Sequence, residues 1–86
     1  MPTISAFYGV VIRMYWADHA PPHFHAVYGD EEAVIDIRTL RTLRGALPAR
    51  GLALTLEWAA LHSTELLEDW NLCATKQTPK LIPPLL

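Results

Sequence analysis

Two alternating runs joined by a two-residue link limit the fold of this chain more than any other feature in it. The link is Gly29-Asp30, set between His23-Phe24-His25-Ala26-Val27-Tyr28 and Glu31-Glu32-Ala33-Val34-Ile35-Asp36-Ile37. Glycine at the first central position suits a type II′ hairpin turn, whose twist matches the strands it joins. Tyr28 then lies opposite Glu31. Phe24 faces Ile35 and Ala26 faces Ala33 on one side of the sheet. On the other side His23 faces Asp36, His25 faces Val34 and Val27 faces Glu32. A slip of one residue would send Phe24 and Ile35 to opposite faces, so the register is tightly specified.

The remaining segments are read around this hairpin. Phe7 to Trp16 is rich in β-branched and aromatic residues and reads as one strand. Its even positions, Tyr8, Val10, Ile12, Met14 and Trp16, are apolar and point inward. Asp18 to Pro22 is a loop, because Pro21-Pro22 has no amide hydrogen to give to a ladder. Arg38 to Leu47, with Leu40, Leu43 and Leu47 and a late Gly45, reads as a short fourth strand. Pro48 to about Trp70 reads as one helix, with Pro48 in its first turn. Leu52, Leu56, Ala59, Ala60, Ser63, Leu66, Leu67 and Trp70 share one side of it and cover the inward sheet face. Gly51 weakens the first turns by about 1 kcal/mol relative to alanine, and Asn71 can end the helix. The expected fold is therefore α+β. An antiparallel sheet of three or four strands, a β-meander, carries one long C-terminal helix on one face. Residues 1–71 form the domain. Residues 72–86, with Pro79, Pro83 and Pro84, form an extended tail, either packed on the body or mobile.

Composition narrows the function. The chain has 86 residues, enough for one domain with a thin core. Apolar residues make up 51%, which is rich for this size and leaves surface for another chain. The net charge of −2 lacks the basic footprint a general nucleic-acid binder needs. A lone cysteine, Cys73, cannot staple a secreted fold. No apolar run approaches the roughly 20 residues of a membrane helix, and no N-terminal segment has the pattern of a secretory signal. A reducing cytoplasm is the expected compartment.

Three of the four histidines fall within residues 19–25. His23 and His25 are two apart on a strand, so both leave the face away from the helix. Arg13 and Tyr15 share that face if the strands are neighbours, and Asp36 arrives from the partner strand. Asp18 and His19 sit on the loop above. Three readings stay open. In the first, His23 and His25 supply adjacent imidazoles to a divalent transition metal, with His19 or Asp36 completing the site. In the second, Asp36 orients a histidine as an acid–base catalyst while Arg13 holds a phosphate or carboxylate, a set able to cleave RNA. In the third, the histidines decorate an exposed sheet face, and the His23–Asp36 pair is worth under about 1 kcal/mol.

Elsewhere, Leu54, Trp58 and Leu61 follow i, i+4, i+7 spacing on the helix side opposite the core stripe. An aromatic between two leucines is the kind of anchor that interfaces use. Self-association, a small partner protein, or the chain's own tail folding back are the three ways to cover it. His62 lies beside Trp58 on that outer side, away from the His23/His25 group. Arg38, Arg41 and Arg44 form a local basic ridge, read as a solvated edge balanced by Glu31, Glu32 and Asp36. Nothing around Cys73 marks it as a nucleophile.

Several blocks together resemble a known family. They are Met1-Pro2-Thr3-Ile4-Ser5, Phe7-Tyr8-Gly9, Asp18-His19 with Pro21-Pro22-His23-Phe24-His25, Tyr28-Gly29, Ala33, Ile35, Glu57-Trp58-Ala59, Glu65-Leu66-Leu67 and Trp70. The chain is similar over about residues 1–71 to a small bacterial family catalogued as a domain of unknown function, number four-one-six-zero. The resemblance implies no established reaction. Genes of that family often lie beside those of another small uncharacterised domain, as in toxin–antitoxin pairs, which implies a protein partner. Asp18, His19, His23 and His25 are the positions at which a family site would fall. The leading expectation is a protein-interaction module, one half of a toxin–antitoxin-like pair or a homo-oligomer. The alternative is a small hydrolytic or nucleolytic enzyme, metal-dependent or not, working on the histidine face.

Overall fold

The structure, a computed structural model, describes residues 2–86. Five strands form one antiparallel sheet in simple sequential order: β1 (Thr3–Phe7), β2 (Val10–Arg13), β3 (His23–Tyr28), β4 (Glu31–Asp36) and β5 (Thr42–Gly45). Two helices follow, α1 (Ala49–Leu61) and α2 (Ser63–Ala74). The α+β meander is as expected; the sheet has one strand more and the helix is divided. No helix is long and apolar enough to cross a membrane among the described residues.

The hairpin register is the one its two-residue loop requires, from His23↔Asp36 through Tyr28↔Glu31. Gly29 takes a positive φ of 62°, as the first central residue of a II′ turn must. A second hairpin lies where one strand was expected. Tyr8 and Gly9 have φ of 46° and 88° and join Phe7 directly to Val10. Positive φ at both central residues belongs to a type I′ turn. Tyr8 hides the signal, because an aromatic favours strands and rarely adopts this conformation. Val10, Ile12 and Met14 point into the core as expected, whereas Tyr8 and Trp16 lie outside the strand and are exposed. A register shift between Thr3 and Ser5 lets both Ile4 and Phe7 reach the core despite their odd separation. The short strand expected within residues 38–47 is β5.

The predicted long helix breaks at His62, where φ is −125° and ψ is 26°. The His62 N–H turns back to Ala59 O, while its carbonyl accepts from Leu66 N–H and starts α2. No proline or glycine marks this break. Ser63 and Thr64 are weak helix-interior residues that favour a helix start, and Glu65 places an acid in the first turn of α2. The break also corrects the buried face. Gly51, Thr55, Trp58 and Ala59 are buried on α1, and Leu66, Asp69 and Cys73 on α2. Leu52, Leu56, Leu67 and Trp70 are only partly buried against this core, and Ala60 and Ser63 are exposed. Gly51 has a packing reason that propensity does not reveal. A β-carbon there would lie 2.7 Å from Tyr28 Cγ.

Trp58 is 0% exposed and stacks near Phe7 and Phe24, so it does not form an outward stripe with Leu54 and Leu61. Leu54 packs partly on the core, and only Leu61 is fully outside. The tail provides the cover. Trp58 Nε1 donates to Pro83 O at 2.9 Å, Ile82 is buried, and Ile82 N–H donates to Ile4 O at 2.8 Å. Lys80 N–H donates to Asp69 Oδ1 at 2.8 Å. The tail is packed, and α2 extends past Asn71 to Ala74 before it begins.

Candidate functional site

The face bearing the histidines is not open. Residues 14–22 cross it, tethered by Ala17 N–H to Cys73 O at 3.0 Å and by Trp16 Nε1 to Gln77 O at 3.0 Å. Beneath this loop His23 is 5% and His25 8% exposed. The reading of histidines on a solvated face is therefore corrected. The Tyr15 ring meets His25 edge-on, with centroids 4.3 Å apart. Trp70 reaches His23 from α2, with ring centroids 5.0 Å apart. Arg13 pairs directly with His25 across β2 and β3.

Asp18 is the centre of the site. Its Oδ2 lies 2.9 Å from His23 Nε2 and 3.6 Å from His25 Nε2. Its Oδ1 accepts from His19 N–H at 2.8 Å. Burial alone would raise its carboxyl pKa, but the His19 amide and the two imidazoles outweigh that and hold it below the ordinary value. Asp18, His23 and His25 each offer one ligand atom, all within 4.8 Å of one another.

The other ring nitrogens are fixed. His23 Nδ1 lies 2.7 Å from Pro21 O, and His25 Nδ1 lies 3.0 Å from Glu32 Oε2. Both partners accept only, so both Nδ1 atoms carry protons and donate. A neutral imidazole has one N–H, which leaves Nε2 as a bare lone pair. Both Nε2 atoms nevertheless face an anionic carboxylate. His23 can satisfy Asp18 only by taking a second proton or through a cation between them. Among the described residues His25 Nε2 is buried without a hydrogen-bond partner, its nearest carboxylate oxygen being Asp18 Oδ2 at 3.6 Å. A buried imidazole whose far N–H is held by a carbonyl or carboxylate is the usual arrangement of a metal-ligating histidine. Donors bound at 2.0–2.1 Å in a tetrahedron stand about 3.3 Å apart, and the two distances to Asp18 bracket that value.

The structure corrects two expected partners. Asp36, although directly opposite His23 in register, accepts Arg38 N–H at 2.7 Å and Thr39 N–H at 2.9 Å through Oδ1 and closes the turn after β4. Its carboxyl is held below the ordinary value chiefly by the Thr39 amide. Asp36 neither orients a histidine nor joins the metal-ligand group. His19 is exposed and contributes its backbone rather than its ring. Glu32 was not among the expected site residues. Its signal was present in the register, since Val27↔Glu32 and His25↔Val34 put Glu32 diagonal to His25 on one face. His62 stays with Trp58 and Glu65, away from the group.

A cleft of about 390 Å³ opens beside the site, between loop residues 18–21 and His23, Val34, Leu43 and Arg44.

Fold and site together define a small α+β meander domain in which two buried histidines meet a half-buried carboxylate on a tethered loop. Residues 9–71, most of the chain, match the family model described as Domain of unknown function (DUF4160), and the chain belongs to that family. The site loop and β3 lie within the matched span. Comparison with curated proteins and with solved structures finds no match.

Proposed function

We propose that this chain is a small metal-dependent protein of hydrolytic type, with Asp18, His23 and His25 holding a divalent transition ion. The observation that carries the reading is His25 Nε2, buried, unpartnered and aimed at the same Asp18 oxygen that His23 Nε2 meets. Two imidazoles and one carboxylate suit zinc or iron(II). Asp18, His23 and His25 would hold the ion, which would supply the activation of water for hydrolysis near neutral pH. The chain's own contribution is to fix both imidazole tautomers through Pro21 O and Glu32 and to exclude bulk water with the 14–22 loop.

A partner-binding module is the second reading. Its anchor was the Leu54/Trp58/Leu61 stripe, and with Trp58 buried only Leu61 remains outside, so the histidine site leads.

The test is metal content and zinc titration calorimetry on untagged protein, beside His23→Ala/His25→Ala and His62→Ala. One zinc per chain, lost in the double variant and kept in His62→Ala, is the expected result. Folded wild-type protein that takes up no zinc and no iron(II) sinks the reading.

A further inference from the structure

The sheet register places four residues in one lateral row on the histidine face: Arg13, His25, Val34 and Arg44, on β2, β3, β4 and β5. Directly paired residues project to the same side of a sheet. Neighbouring strands lie about 4.8 Å apart, so Arg44 stands two strands, or about 10 Å, from His25. Arg44 is exposed and, among the described residues, no carboxylate lies within ion-pair distance of it. It also forms the far wall of the cleft whose near wall is Asp18 and His23. Val34 and Leu43 line the space between them.

From this arrangement we infer that the cleft takes a small organic oxyanion, a phosphate ester or carboxylate carrying a compact apolar group. This rests on the metal reading above. The charges decide the sign of the ligand. A divalent ion held by one carboxylate and two neutral imidazoles keeps a net positive charge, and Arg44 adds a second at the opposite wall. The guanidinium offers a planar fork that matches carboxylate and phosphate oxygens. Val34 and Leu43 provide the apolar stretch between the two charges. A volume of about 390 Å³ falls at the small end of ligand pockets, which fits one small molecule. The chain's net charge of −2 disfavours a nucleic-acid polymer.

The experiment titrates phenyl phosphate and, separately, benzoate into zinc-loaded protein. The proteins are wild type, Arg44→Gln and Arg41→Gln, each first checked for fold and zinc uptake. Arg41 is exposed on the same segment but does not line the cleft. The expected result is binding of one probe, weakened at least tenfold in Arg44→Gln and unchanged in Arg41→Gln, with zinc affinity equal in all three. The preferred probe tells phosphate from carboxylate. Zinc uptake without binding of either probe, or binding that Arg44→Gln leaves intact, overturns the inference alone. Absence of zinc uptake in wild type overturns the metal reading and the inference with it.

Discussion

His25 and Glu32 meet diagonally across the central hairpin, Nδ1 to Oε2 at 3.0 Å, although neither is the other's direct partner in the register. The contact spends the His25 proton on the side away from Asp18. It thereby leaves the neutral ring's lone pair on Nε2, the nitrogen that faces Asp18. Glu32→Gln replaces a carboxylate that must accept with an amide that can also donate. Zinc affinity is expected to fall about 10–100-fold, as for other residues that orient a ligating histidine. Metal-free stability should change by less than about 1 kcal/mol, because this is a partly exposed pair. Calorimetry and urea unfolding read the two quantities separately, and equal zinc affinity in both proteins would remove Glu32 from the site.

Gly51→Ala tests why a glycine stands inside the first turns of α1. Helix propensity alone predicts a gain of about 1 kcal/mol. The added carbon would press on the base of the Tyr28 ring, not on a movable tip. Overpacking of this kind costs about 1–3 kcal/mol, so the expected net effect is a loss. Chemical denaturation of Gly51→Ala, alone and in a Tyr28→Val background, measures it. The loss should shrink or reverse when Tyr28 is removed.

The hairpin and its register were legible because loop length and two apolar alternations agree on one answer, and only one register buries both Phe24 and Ile35. The Tyr8-Gly9 turn was not, since an aromatic at positive φ is held by its surroundings against its own preference. The helix break at His62 is marked only by Ser63, Thr64 and Glu65, a weaker signal than a proline or glycine and one that the continuous apolar spacing overrides. Of the site, His23 and His25 follow directly from strand periodicity. Asp18 could be named only as a loop residue beside them. Its position depends on the hydrogen bond from Ala17 to Cys73, a contact between distant parts of the chain that no local pattern announces. Asp36 sits elsewhere for a related reason: cross-strand pairing places one backbone opposite another, while two amides of the following turn hold the carboxylate.

Ile82→Ala probes whether the tail belongs to the folded body. Ile82 is buried beside β1, and its neighbour Pro83 accepts the Trp58 indole. Truncation of a buried isoleucine typically costs 2–5 kcal/mol, and a value of about 2–4 kcal/mol is expected here. Urea unfolding followed by tryptophan fluorescence checks it. A loss under about 0.5 kcal/mol would mean that the tail contributes no core.

Asp69 carries the pH prediction. Burial pushes its carboxyl above the ordinary value, the Lys80 amide offsets this in part, and Glu68 and Glu65 on the same helix add to the rise. Cys73, on the next turn, is itself raised by burial and by Asp69. A folded-state value above the unfolded one means that the folded chain holds the proton more tightly. Stability from this group is then fully present below the unfolded value and is lost as pH rises through the folded one. Asp69→Asn keeps an oxygen for the Lys80 N–H and removes the buried charge. Its melting temperature relative to wild type should climb as pH is raised from about 4 towards neutrality. A difference that stays flat over that range would contradict the assignment.

The seating of the tail has a further consequence for the free side of the sheet. β1 is a terminal strand, and such strands offer unpaired backbone groups on which a foreign chain can template. Ile82 occupies one of them, at Ile4 O, and the next two residues are Pro83 and Pro84. Neither has an N–H with which to continue a ladder. Residues 82–84 thus dock on the β1 border without growing a sixth strand, and mask one stretch of edge on which another chain could pair.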